Sequence, residues 1–146
     1  MRRYDDPVAQ NAFAPHLEDG EVLETWAYGV DVPRLATLVP LLAMRMTTHS
    51  LVGLTTRSVI VLEVEGRDAD VLEVAAYGLE DRHPARINIH RHKAYLAIES
   101  REAGVPNEAR PFYALFHWRG TADNVARVRR IADALGAREG KPGNGR

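Results

Sequence analysis

The residues best suited to bind a ligand by charge form a short basic run, His90-Arg91-His92-Lys93. On a β-strand His90 and His92 would share one face, where a divalent metal could bridge them. No carboxylate or third histidine lies at short spacing, so we expect no bound metal. The run and its neighbours define a candidate anion patch, for which the alternative is a plain solvated hairpin. This basic patch comprises Arg82, Arg86, His90, Arg91, His92 and Lys93.

The other reactive side chains are scattered and suggest no catalytic site. The chain contains no cysteine, which excludes disulfides, thiolate zinc sites and cysteine nucleophiles. No segment has the glycine-flanked serine of a nucleophile elbow or a glycine-rich phosphate loop. Paired carboxylates such as Glu63 and Glu65 flank a predicted hairpin turn, where charge usually protects a sheet edge. We predict no catalytic residue and no cofactor.

An apolar segment between residues 35 and 46 is the second candidate site. A connection in a small β-barrel is usually polar, whereas this one is apolar except for Pro40 and a few polar residues. Two interpretations remain open: a helix or long strand packed on the core, or an exposed surface that a second subunit or a protein partner covers. The candidate partner surface comprises Leu35, Leu38, Leu41, Leu42, Met44 and Met46.

Charge and hydropathy exclude several functional classes. The net charge is −1, but residues 1–81 contain 6 Lys and Arg against 14 Asp and Glu, whereas residues 82–146 contain 13 against 6. Such a bipolar chain can pair its own halves or associate head to tail with another copy, and we expect no nucleic-acid binding. The apolar stretch at 35–44 is about half the ~20 residues of a membrane span. No signal peptide is visible, and we predict a cytoplasmic protein.

Hydrophobic periodicity predicts about seven antiparallel strands followed by one helix. Asp6-Pro7 resembles an N-cap followed by proline at the first helical position, which predicts a short N-terminal helix from Pro7 to about Phe13. Thr121 is a good N-cap for the terminal helix, which Gly136 ends. The apolar stripe of this helix, at Val125, Val128, Ile131, Ala132 and Leu135, is expected to cover an open barrel end. The predicted organisation is a partly helical extension at 1–16, one domain at 17–136 and a disordered tail at 137–146.

Three short motifs resemble the bacterial, YokE-like branch of the pleckstrin-homology (PH) superfold. They are Gly20-Glu21 within Leu17–Leu23, Leu54-Thr55-Thr56-Arg57 at a predicted strand turn, and Tyr77-Gly78-Leu79-Glu80-Asp81. The resemblance covers about residues 17–136 and implies a mainly β, PH-like, partly open barrel that acts as a binding or assembly module without enzymatic activity. The family's lipid-binding members have clustered Lys and Arg in the first hairpin loop. In the corresponding stretch, residues 30–50, the only Lys or Arg residues are Arg34 and Arg45, so we expect no phosphoinositide binding.

The leading hypothesis is therefore a non-catalytic module that either assembles into a homo-oligomer or binds a protein partner. The alternative is a small-molecule carrier or enzyme with an apolar pocket lined by aromatic residues. The candidate lining residues are Trp26, Tyr28, Tyr77, Tyr95 and Trp118. A third hypothesis, attachment to a membrane surface through Arg127, Arg129 and Arg130, has little support because the apolar face of that helix is needed inside the barrel.

Overall fold

A computed structural model describes residues 4–31, 48–80, 85–90, 93–99, 109–114 and 121–140. Helix α1 spans Asp6–Phe13 and is followed by a 3₁₀ turn at Ala14–His16. Helix α2 spans Thr121–Leu135. The strands are β1 Leu23–Asp31, β2 Thr48–Thr55, β3 Ser58–Glu65, β4 Asp70–Gly78, β5 Ala85–His90, β6 Lys93–Glu99, β7 Ala109–Ala114 and β8 Arg138–Glu139.

The strands form one sheet in the order β4-β3-β2-β1-β7-β6-β5-β8. Neighbouring strands are antiparallel except β5 and β8, which run parallel. Among the described residues no pairing joins β4 to β8, so hydrogen bonds do not close the sheet into a barrel. A mainly β chain with an antiparallel sheet and two helices confirms the coarse fold class that was predicted. Arg138 and Glu139, which the sequence places in the tail, form β8.

Helix α2 covers the face of the sheet that we call the inner face. Val128, Ile131 and Ala132 are buried there, and Val125 and Leu135 pack against the same cluster. The predicted stripe is therefore the side of α2 that faces the sheet. Gly136 follows the helix with φ 66°, and its N–H donates to the carbonyl of Asp133, as expected for a glycine that ends a helix. The inner cluster also contains Ala27, Val52, Leu54, Val59, Val61, Tyr77, Ala85, Ile87, Ala94, Leu96 and Ile98.

Helix α1 packs on the opposite, outer face, mainly over β1, β2 and β3. Its N-cap is Asp5 rather than the expected Asp6, since the Asp5 carboxylate accepts a hydrogen bond from the N–H of Val8 at 3.1 Å. Phe13 is fully buried and lies directly over Gly53 in β2. Residues of the predicted N-terminal extension thus help to form a second core, whose buried members are Tyr4, Ala9, Ala12, Phe13, Leu51, Ile60, Leu62, Val64 and Ala69.

Candidate functional site

The structure describes part of the predicted basic patch. Arg86 is exposed on β5, and the backbones of His90 and Lys93 pair where the β5–β6 hairpin turns. Arg82, Arg91 and His92 lie outside the described residues. Exposed Arg138 of β8 pairs beside Arg86, a neighbour that the sequence analysis did not include because it depends on a parallel pairing 52 residues apart. The patch therefore stays a prediction.

The candidate partner surface lies outside the described part of the chain. Its six residues, Leu35, Leu38, Leu41, Leu42, Met44 and Met46, fall between the end of β1 at Asp31 and the start of β2 at Thr48. Both interpretations of this segment, a core element or an exposed surface, consequently stay predictions.

The aromatic residues proposed to line a pocket do not gather on one face. Trp26 and Tyr28 pack against the outer cluster, whereas Tyr77 is buried in the inner cluster. The side chain of Tyr95 and all of Trp118 lie outside the described residues. The three aromatic side chains that are described thus lie on two sides of the sheet, which removes the main support for a shared apolar pocket.

The Trp26 side chain instead joins β1 to the two helices, and the Tyr28 side chain joins β1 to β2 and to the residue Tyr4 that precedes α1. The indole N–H of Trp26 donates to the Asp6 carboxylate at 2.8 Å, and the Arg127 guanidinium lies 5.3 Å from the centre of the Trp26 ring. The Tyr28 hydroxyl is 2.6 Å from Nδ1 of His49, and its ring meets Tyr4 edge-on at 5.6 Å between centroids. These polar and aromatic groups are therefore engaged in contacts within the chain.

Helix α2 runs along β1 through contacts that repeat every two residues on the strand and every three on the helix. Glu24 pairs with Arg130 at 3.5 Å, Trp26 with Arg127, and the backbone of Tyr28 with Asn124. A third arginine of α2, Arg129, pairs with Glu139 at 3.2 Å. All three arginines considered for membrane attachment thus have an acidic or aromatic partner in their own chain.

The Asn124 side chain acts as a substitute for a paired strand. Its oxygen accepts from the Tyr28 N–H at 2.9 Å and its amide nitrogen donates to the Tyr28 carbonyl at 3.0 Å. Val30, two residues along β1, pairs with Tyr113 of β7. The amide of Asn124 therefore satisfies both backbone groups of Tyr28 beside the point where β7 pairs with β1.

We expect Asn124→Asp to lower the free energy of unfolding by about 1–3 kcal/mol at neutral pH. A carboxylate still accepts from the Tyr28 N–H but cannot donate to the Tyr28 carbonyl, which would face a negative charge. Urea unfolding measures the change, and Ala126→Asp, which adds the same charge at an exposed position of α2, is the matched control. Equal stability of the two variants would contradict this role for Asn124.

Strand β4 presents the most exposed apolar surface of the described sheet. It lies at the end of the strand order, and only β3 pairs with it among the described residues. Leu72 is 56% exposed and Val74 is 41% exposed. Val74 and Ala76 pair with Leu62 and Ile60, which belong to the outer cluster, so Val74 and Ala76 extend the outer face beyond the area that α1 covers. We call Leu72, Val74 and Ala76 the β4 strip.

Two glutamates lie directly opposite each other across β3 and β4. Glu63 pairs with Glu73, and the next pair toward the turn is Val64 with Val71, so Leu72 is the extra residue of a β-bulge. Residues 58–80 contain six acidic side chains and one arginine. The β4 edge consequently carries exposed apolar side chains on the outer face, and most acidic residues of this hairpin lie around its turn.

Two further findings concern metals and membranes. No group of three or more His, Asp and Glu side chains within the described segments is arranged to hold a metal ion. None of the helices found in those segments combines the length and hydropathy that crossing a bilayer requires.

Comparison with solved structures shows a likeness of fold. The chain is similar to the hSac2 domain from the human phosphoinositide phosphatase Sac2, with a TM-score of 0.58 and 14% sequence identity. The alignment covers 96% of this chain and 90% of that domain. No family model and no curated protein matches the sequence. At this identity the likeness concerns the fold alone.

Proposed function

We propose that the chain is a non-catalytic protein-interaction module of PH-like architecture that binds an extended segment of a partner along β4. The observation that carries the proposal is the exposed apolar strip on a strand at the end of the sheet order. A strand in that position offers backbone N–H and C=O groups for pairing, and its alternate side chains add specificity. The PH-like part rests on the sequence motifs and on one antiparallel sheet covered by a C-terminal helix.

The phosphatase activity named for the protein that contains the hSac2 domain is not part of this proposal. A resemblance at 14% identity carries no catalytic residue to this chain. The polar side chains of Asn124 and Trp26 join β1 to the helices, and the Tyr28 hydroxyl contacts His49 of β2. The proposal is a binding role, with the cytoplasm as the expected location.

The proposal is tested by selecting extended peptides from a displayed random library on the immobilised full chain. The same selection is made on a Leu72→Ser, Val74→Ser variant and on a Val22→Ser control. Val22 is 58% exposed and lies outside β4, so its change removes a similar apolar surface elsewhere. We expect the selected peptides to bind the β4 variant at least about tenfold more weakly, because two apolar side chains lose their contacts. Their binding to the Val22→Ser control should be unchanged.

Circular dichroism and urea unfolding are used to check that all three proteins are folded to the same extent. Peptides that bind the β4 variant as well as the unchanged chain would refute β4 as the binding surface. A selection that enriches no peptide over an empty support would count against the interaction role itself.

A further inference from the structure

Arg86 and Arg138 lie side by side on the outer face of the sheet. Their Cα positions are partners in the parallel pairing of β5 with β8. The residues on either side of Arg86 belong to the inner cluster, so the alternation along β5 directs Arg86 to the outer face. Glu139 pairs with Arg129 of α2 on the inner face, so the same alternation along β8 directs Arg138 to the outer face. Since neighbouring strands are about 4.8 Å apart, the two arginine side chains start from adjacent positions.

The positive charges of this pair are not balanced within the described segments. Three other arginines of those segments, Arg57, Arg129 and Arg130, each pair with a glutamate. Arg86 and Arg138 are both exposed, and neither makes an ion pair or a side-chain hydrogen bond in the part of the chain that the structure describes. Like charges side by side on neighbouring strands are destabilising, so the pair favours a ligand of opposite charge.

The backbone holds both arginines in place. The N–H of Gly140 donates to the carbonyl of Ile87 at 3.1 Å, directly beside the pair. The half-exposed Asn88 follows Arg86 at the next outer position of β5 and adds amide N–H donors to the same face. A ligand therefore has to order two side chains but no backbone, which lowers the entropic cost of binding.

A phosphate monoester group matches this pair better than a carboxylate does. At neutral pH it carries a charge of about −1.5 to −2 and three oxygens that accept strong hydrogen bonds. Each of two guanidinium groups can direct a pair of N–H donors to such oxygens. A carboxylate carries one negative charge and two oxygens, which a single guanidinium group already engages.

We infer that Arg86 and Arg138 together bind a phosphate monoester group, carried by a small phosphorylated molecule or by a phosphorylated protein segment. The inference goes beyond the proposed function, because β5 and β8 lie at the end of the strand order opposite to β4. Of the predicted basic patch it uses Arg86 alone. Its second member, Arg138, is brought to Arg86 by strand pairing.

Binding is measured by nuclear magnetic resonance, in a titration of the isotope-labelled full chain with methyl phosphate. Methyl sulfate, which has the same shape but a single negative charge, is the matched control ligand. We expect methyl phosphate to bind with a Kd of about 1–10 mM. It should bind roughly threefold or more tightly than methyl sulfate, because it carries the additional charge. The shifted amide signals should centre on Arg86 and Arg138.

Three variants assign the binding to these side chains. The Arg86→Gln, Arg138→Gln variant should bind methyl phosphate roughly tenfold more weakly, because both charged donors are lost. The Arg86→Lys, Arg138→Lys variant keeps the charges without the planar forks and should lie between the two. Arg57→Gln removes an exposed arginine that pairs with Glu18, and this control should bind as the unchanged chain does. The glutamine double variant should unfold at the same or a slightly higher urea concentration, since two like charges are removed.

The source of the phosphate group is tested with serine-containing peptides, with and without phosphorylation. A phosphorylated peptide that binds more tightly than methyl phosphate assigns the group to a protein partner. Equal affinities of the two assign it to a small phosphorylated molecule.

Equal binding of methyl phosphate and methyl sulfate, or undiminished binding to the glutamine double variant, would overturn the inference. Signals that shift only in other strands, or no binding at all, would do the same. Arg86 and Arg138 would then be solvated side chains without a ligand. Peptide binding to β4 is measured separately, so this failure leaves the proposed function standing.

Discussion

Replacing Ile131 by aspartate should lower the free energy of unfolding by about 5 kcal/mol or more. Ile131 is fully buried in the cluster between α2 and the inner face of the sheet. The substitution removes a large aliphatic side chain and places a carboxylate where no water reaches it, which together cost about 5 kcal/mol or more. Because domains of this size are stable by about 5–15 kcal/mol, the loss consumes much or all of the stability.

Circular dichroism and urea unfolding give the measurement, with Ala134→Asp as the control. Ala134 is exposed on the same helix, so the added charge there should change the free energy of unfolding by about 1 kcal/mol or less. An Ile131→Asp protein that unfolds at the same urea concentration as the control would show that α2 is not part of the core. It would also remove the reason for seeking the binding surface away from this helix.

Replacing Phe13 by alanine should destabilise the chain by about 3–5 kcal/mol, although the residue precedes the first strand of the sheet. The Phe13 ring is fully buried over β2, and a Cβ atom built on Gly53 would lie 2.7 Å from its Cε1 atom. Gly53→Ala alone should therefore also destabilise, by about 1–3 kcal/mol, because the ring and the Leu23 side chain, whose Cδ1 atom would lie 2.8 Å away, both have to move. In the Phe13→Ala background the added methyl group meets only the Leu23 side chain, so its cost should fall in part.

A double-mutant cycle measured by urea unfolding tests this contact, and a coupling of about 0.5–3 kcal/mol is expected for residues that touch. Gln10→Ala, at an exposed position of α1, controls for changes in helix propensity. Additive effects of the two substitutions would mean that α1 does not pack on Gly53. The β4 strip would then no longer be the part of the outer face that α1 leaves uncovered.

The features that the sequence predicts well are those with a local signal. The stripe on α2 follows from a period of 3.6 residues, and the β3 and β4 strands follow from runs of valine, isoleucine and leucine. A glycine inside a strand, as at Gly53, is a sequence signal for close approach of another element. It does not reveal that Phe13, 40 residues away in the chain, makes the approach.

The candidate site could not be predicted in the same way, because it depends on the order of strands in the sheet. The sequence predicts a strand at residues 71–79, but exposure of Leu72 and Val74 follows from β1 pairing with β7 while β4 ends the strand order. The pairing of Glu63 with Glu73 depends on a bulge at Leu72 that has no local signature. The contact between Asn124 and Tyr28 joins residues 96 positions apart. Such contacts arise only when the whole sheet has formed.

The central claim is that an extended partner segment pairs with β4. Amide hydrogen exchange of the full chain, measured with and without a peptide selected on it, tests this claim most directly. Backbone N–H groups at a sheet edge exchange with solvent until another strand pairs with them. We predict that the peptide slows exchange within Asp70–Gly78 and leaves α1 and β5 unchanged. Slower exchange confined to β5 and β6, or no change in β4 at a peptide concentration that saturates binding, would contradict the claim.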